Sequence, residues 1–148
     1  MQTIKAYRKS GGQLTVAIKP VELENVVHYG ILTGTFDDRR SYMMRVTEMS
    51  EKPSVNYAKD YLGVRSAAGA EKYYCTFGQY VLTPEVFDHL EEDIKRHDEN
   101  NDSSEIQLTD ALCKVLDKNG MSGVLIDGES FDVGIPKAYA ETVARFGK

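Results

Sequence analysis

Glu51-Lys52-Pro53 places a carboxylate, an ammonium and a proline side by side. A lysine head is a compact charge with three donors, and the neighbouring carboxylate can accept two hydroxyl hydrogens. The pair is therefore suited to a phosphorylated sugar, the ammonium on the phosphate and the carboxylate on the hydroxyls. A residue before proline is pushed out of the helical region, so Lys52 is expected to be extended and to leave the end of a strand cleanly. The same tripeptide also occurs on solvated loops. Two further stretches carry candidate groups, Glu105-Ile106-Gln107-Leu108-Thr109-Asp110 and Phe131-Asp132-Val133-Gly134. Asp132 falls where a strand should end before a helix, the place where open α/β sheets gather ligands. Its plain alternative is a cap for the helix beginning at Pro136. Thr109 and Asp110 read first as the cap and acidic first turn of a helix, with a ligand role as the alternative. His28, His89 and His97 show no metal spacing and no serine or cysteine partner, so they are surface or packing residues.

The elements that must position these groups follow from hydrophobic pattern and turn chemistry. Residues 3 to 10 can form one or two helical turns with Ile4 and Tyr7 on a shared face, stopped by Gly11-Gly12. Leu14 to Ile18 is nearly continuous in apolar character, as in a strand covered on both faces of a parallel or mixed sheet. A helix feeding such a strand is the second half of a βαβ unit whose first strand is absent, so the chain is expected to start within a fold. Residues 29 to 36 and 41 to 48 predict a hairpin around Asp37-Asp38-Arg39-Arg40, which delivers the chain to Glu51. Residues 54 to 71 have no clean period and read as a loop or lid with one helical turn. Tyr73 to Leu82 predicts a strand. Thr83-Pro84-Glu85 then opens a helix with a capping hydroxyl and Val86, Phe87, Leu90 and Ile94 on one face. A second helix over about 109 to 119 stops at Gly120, short strands follow at 122 to 126 and 130 to 133, and Pro136 opens a closing helix.

At 148 residues with 41% hydrophobic side chains, the chain can bury one core and reads as a single α/β unit over residues 1–148. A net charge of −5 argues against broad nucleic-acid binding, which needs clustered Lys and Arg. Lys5, Arg8 and Lys9 around Tyr7 read as a solvated face. Cys75 and Cys113 belong to no metal or redox spacing and predict two buried thiols of a reducing compartment. With no apolar run of membrane-spanning length and no apolar signal core, no membrane partner is expected and the cytoplasm is the expected location.

In this order, Tyr29-Gly30, Glu51-Lys52-Pro53, Phe77-Gly78-Gln79-Tyr80-Val81-Leu82, Glu105 to Asp110 and Phe131 to Gly134 resemble the later half of the sugar-1-phosphate nucleotidyltransferases, closest to the bacterial UTP–glucose-1-phosphate uridylyltransferases. The resemblance runs from about residue 3 to residue 146. It implies the C-terminal part of a Rossmann-like nucleotidyltransferase fold, a mixed β-sheet flanked by helices. The N-terminal nucleotide-binding half would be absent, since the family's glycine-rich triphosphate loop has no match here. It also implies that Glu51 contacts hexose hydroxyls, that Lys52 is the catalytic contact to the sugar phosphate, and that Gly30 brings backbone against the sugar. Thr76 and Gly78 would belong to the sugar wall, and Asp132 would be one of two carboxylates holding Mg²⁺. The implied partners are glucose-1-phosphate or a similar sugar phosphate and UTP or UDP-glucose, and the sheet edge that the missing half would leave exposed predicts a homo-oligomer, by dimerisation or strand exchange. The implied reaction gives UDP-glucose and pyrophosphate, with these residues alone expected to be inactive. A thymidylyl- or adenylyltransferase, or a non-catalytic sugar-phosphate-binding or oligomerisation module, are the alternatives. Lys72-Tyr73 stands where the uridylyltransferases carry Ser-Asn, and the connection from Pro53 to Tyr73 is longer than theirs. Both departures touch the sugar side.

Overall fold

The computed structural model describes residues 1–37, 40–65, 69–100, 104–128, 131 and 136–146. The first helix, α1 (Gln2–Lys9), stops where Gly11 and Gly12 take φ of +80° and +87°. It packs through Thr3 and Ala6 rather than the expected Ile4, which is 46% exposed. Its face meets Ala17, Met43 and Val124 on the sheet, where the small Ala6 side chain allows close approach.

β1 (Leu14–Val21) is buried from Leu14 to Ile18, as its unbroken apolar run predicts. A 3₁₀ helix (Leu23–His28) leads into β2 (Gly30–Asp37), which forms a hairpin with β3 (Arg40–Glu51), Asp37 lying opposite Arg40. The expected loop at 54 to 71 is largely ordered structure. Ser54 accepts a hydrogen bond from the Tyr57 amide and starts α2 (Val55–Tyr57). A π-type turn (Ala58–Leu62) continues it and sinks Ala58 and Leu62 into an apolar cluster with Val26, Ile31, Tyr73 and Cys75. The short β4 (Val64–Arg65) then pairs with the start of β5 (Glu71–Val81).

Two helices follow, α3 (Pro84–Asn100) and α4 (Leu108–Asn119), then β6 (Met121–Leu125) and α5 (Pro136–Phe146). Thr83 precedes α3 without capping it: among the described residues its buried hydroxyl accepts from no backbone amide, and the Val86 amide donates to the Thr83 carbonyl. The buried face of α3 is only in part the expected one: Val86 is in the core and Leu90 packs against it. Val86, His89 and Asp93 are buried, whereas Phe87 and Ile94 are 58% and 49% exposed. Lys114 of α4 accounts for Asp93, its ammonium donating to the Asp93 carboxylate.

Among the described residues six strands run in the order β1-β6-β3-β2-β5-β4, and an extra β1–β5 pairing brings the order back on itself. β1 is parallel to β6 and antiparallel to β5, so the sheet is mixed, as expected. Helices α3 and α4 cover one face, where Val86, Leu112 and Val115 pack on Leu14, Val16, Ile18 and Met44. Of the strand expected at 130 to 133 only Phe131 is among the described residues, and it belongs to no strand; Asp132 lies outside them.

Candidate functional site

The site grows from the end of the β2–β3 hairpin. The ladder closes with Gly30 opposite Glu51, and the Lys52 amide donates to the Tyr29 carbonyl at 3.0 Å as its last rung. Past that rung the chain must reverse from strand into helix between Glu51 and Val55. Lys52 absorbs the reversal with φ of +44°, the one positive φ outside glycine among the described residues. The expected extended geometry is therefore not what Lys52 adopts. The reversal outweighs the pre-proline preference, at a cost on the order of 1–2 kcal/mol. Pro53 is buried and Lys52 exposed, so the ammonium stands in solvent at the strand end, with no carboxylate partner among the described residues.

Glu51 is half-buried and held. A Cβ built on Gly30 would lie 2.9 Å from Glu51 Oε2, 3.3 Å from Met49 Cε and 3.5 Å from Thr76 Cγ2. Gly30, Glu51 and Thr76 thus crowd one spot, and only a residue without a side chain leaves the carboxylate where it is. Thr109 Oγ1 donates to the same Oε2 at 2.8 Å from the first turn of α4. The helix has Gln107 at its N-cap, with no side-chain cap bond, so Thr109 spends its hydroxyl on Glu51 rather than on capping. Asp110 is exposed in that first turn.

The same helix guards the edge of β3. Strand β6 pairs with β3 only from Met43 to Val46, which leaves the stretch to Glu51 without a neighbour on that side. One turn beyond Thr109, the Cys113 thiol donates to the Met49 carbonyl at 3.5 Å. Burial first, then the carboxylates of Asp110, Asp117, Glu48 and Glu51, push this thiol up to about 11, so it stays neutral and inert at physiological pH. Cys75 is buried and Cys113 half-buried.

The other expected residues are placed differently. Gly78 sits in a β-bulge of β5, where Thr76 pairs with Ile18 and Tyr80 with Val16, and takes φ of +69°. A Cβ there would meet nothing within 4 Å, so its glycine serves the bulge rather than a close approach. Lys19 is a residue that motif reading passed over. Its ammonium lies over the rings of Tyr29 and Phe77, at 5.4 Å and 5.8 Å, and braces the two segments flanking Gly30 and Thr76. Among the described residues no group of three or more His, Cys, Asp or Glu could hold a metal ion. Nor is any helix among them long and apolar enough to cross a membrane. Thr109, the other residue read differently, carries its signal only in the joint presence of the Glu51 and Glu105–Asp110 stretches.

Comparison with known proteins extends the sequence resemblance. The family model described as "Nucleotidyl transferase" matches residues 1–147. A UTP–glucose-1-phosphate uridylyltransferase of Pseudomonas aeruginosa is 31% identical over 140 residues, covering 95% of this chain and 43% of the relative. Another, from Komagataeibacter xylinus, is 32% identical over 133 residues, covering 90% and 40%. The crystal structure of a UDP-glucose pyrophosphorylase complexed with UDP-glucose superposes with a TM-score of 0.74 at 25% identity, covering 99% of this chain and 48% of that one. The chain spans less than half the length of the curated relatives it matches.

Proposed function

The chain belongs to the nucleotidyl transferase family, and from that membership we propose that it forms the sugar-phosphate side of a UTP–glucose-1-phosphate uridylyltransferase site. The observation that carries this reading is the meeting of Gly30, Glu51, Thr76 and Thr109 beside the exposed Lys52. Glu51 accepts hydrogen bonds from the hexose hydroxyls, Lys52 neutralises the phosphate, and Gly30 lets the sugar approach the backbone. In the complete reaction a phosphate oxygen of glucose-1-phosphate attacks the α-phosphorus of UTP. The bond from that phosphorus to the bridging oxygen breaks, and pyrophosphate leaves as UDP-glucose forms. Such chemistry is mainly positioning and charge stabilisation, and Lys52 is the acceptor-side contributor to both. Magnesium enters the proposal through Asp132, because one carboxylate with phosphate oxygens and waters is an ordinary donor set for this ion. When bound it would offset phosphate charge.

Calorimetric titration with glucose-1-phosphate, and separately with UDP-glucose, tests the proposal. Saturable binding is expected, and Lys52→Ala should weaken it by roughly tenfold or more, as loss of one charge-assisted contact implies. Binding of neither ligand, or binding indifferent to Lys52, would overturn it.

A further inference from the structure

The geometry points to Thr109 as a positioning residue that fixes the Glu51 carboxylate and thereby sets which sugar hydroxyl it accepts. The inference rests on the sugar-phosphate reading of the site and deepens it. A carboxylate at the end of a glutamate side chain rotates freely unless one oxygen is held, and either oxygen can then serve as acceptor. Here Oε2 is held by the Thr109 hydroxyl, which donates to it at 2.8 Å, in a space that Gly30 leaves open and that a Cβ, 2.9 Å away, would crowd. Oε1 receives no hydrogen bond among the described residues, so one oxygen is anchored and the other is left for a ligand.

The anchor is itself rigid. Thr109 is 9% exposed and sits among the buried Ala111, Leu112 and Val115 of α4. The Cys113 bond to the Met49 carbonyl ties the next turn of the same helix to the same strand. Glu51 is thus gripped from an element 58 residues away, by a helix docked along the open edge of β3. A single fixed acceptor distinguishes hydroxyl configurations better than a rotating one, because the wrong epimer leaves it unpaired.

The test compares Thr109→Val, which keeps shape and loses the hydroxyl, with Thr109→Ser, which keeps the hydroxyl. Glucose-1-phosphate, galactose-1-phosphate and inorganic phosphate are titrated in turn, and crystal structures of both variants are determined. The expected result is a roughly tenfold loss of glucose-1-phosphate affinity in Thr109→Val, with its preference over galactose-1-phosphate narrowed. Thr109→Ser should restore both, and inorganic phosphate, which needs only Lys52, should bind all forms alike. Equal hexose-phosphate binding by Thr109→Val and the parent would overturn the inference. So would a parallel loss of phosphate binding, which marks general damage to the fold. If the parent binds no hexose phosphate, the functional reading fails by itself, and the crystals decide positioning. A Glu51 carboxylate displaced in Thr109→Val and retained in Thr109→Ser would uphold it, whereas an unmoved carboxylate in Thr109→Val would end it.

Discussion

Gly30 and Gly34 lie four residues apart in β2 and require glycine for different reasons. At Gly34, beside a register shift in the hairpin, an added Cβ would fall 2.1 Å from the Arg45 carbonyl oxygen, a backbone atom that cannot step aside. At Gly30 the obstructing atoms are the ends of the Glu51 and Met49 side chains, which can turn away. Gly34→Ala should therefore cost about 3 kcal/mol or more of stability, and Gly30→Ala about 1 kcal/mol. Gly30→Ala should nonetheless lose most of the sugar-phosphate affinity, since it is the carboxylate that moves. Thermal melts paired with titration separate the two, and a Gly30→Ala protein that binds as tightly as its parent would remove Gly30 from the site. Gly30 and Glu51 could be singled out in the sequence only through the order of the motifs, because Glu-Lys-Pro and Tyr-Gly are each weak signals by themselves. The left-handed turn at Lys52 was not legible, because the pre-proline rule speaks only of local sterics and the strand-to-helix reversal is set by the whole hairpin. The bond from Thr109 was hidden too, since a threonine in the first turn of a helix resembles a cap whether or not it caps.

Among the elements, the α3–α4 pair bears on the site because α4 holds Glu51. Asp93 on α3 is buried and receives the Lys114 ammonium of α4, with Arg96 at 3.5 Å. The hydrogen bond from Lys114 is the largest cause holding the Asp93 carboxyl below its ordinary 3.8. A depressed carboxyl contributes stability that is present above its unfolded-state value and is lost as pH falls through its folded value. The melting temperature should therefore drop as pH falls below about 4, and Asp93→Asn should flatten that drop while costing about 1–2 kcal/mol at neutral pH. Identical acid profiles for the two proteins would show that the tie is not what acid breaks. The sequence pattern showed α3 and placed Val86 and Leu90 on its core side, but it took Phe87 and Ile94 for His89 and Asp93, because a buried, paired aspartate looks like a surface residue until its lysine is found. Residues 54 to 62 were unreadable for a related reason. A capped turn that widens into a π-type turn has no 3.6-residue period to detect, and only Ala58 and Leu62 of it reach the core.

In the molecule as a whole, the pairings pass from β1 through β6, β3, β2 and β5 and return to β1. Pulling any one of these strands away breaks pairing on two sides, so no strand of the ring can open as a cheap local unit. β1 is the hub. It pairs in parallel with β6 and antiparallel with β5, and Val16, Ala17 and Ile18 are fully buried between the helices of the two faces. The apolar clusters on those faces meet through its alternating side chains, Leu14, Val16 and Ile18 toward α3 and α4 and Ala17 toward α1. One cooperative transition is therefore expected in urea, with far-ultraviolet circular dichroism and tyrosine fluorescence coinciding. The slowest-exchanging amides should lie in β1 and its partners rather than in α5, whose Tyr139, Val143 and Phe146 are each more than half exposed. Hydrogen exchange resolved by residue checks both statements together. If β1 amides exchanged as fast as those of α5, the ring would not be the unit that unfolds. The Glu51 corner would then rest on the hairpin and α4 alone.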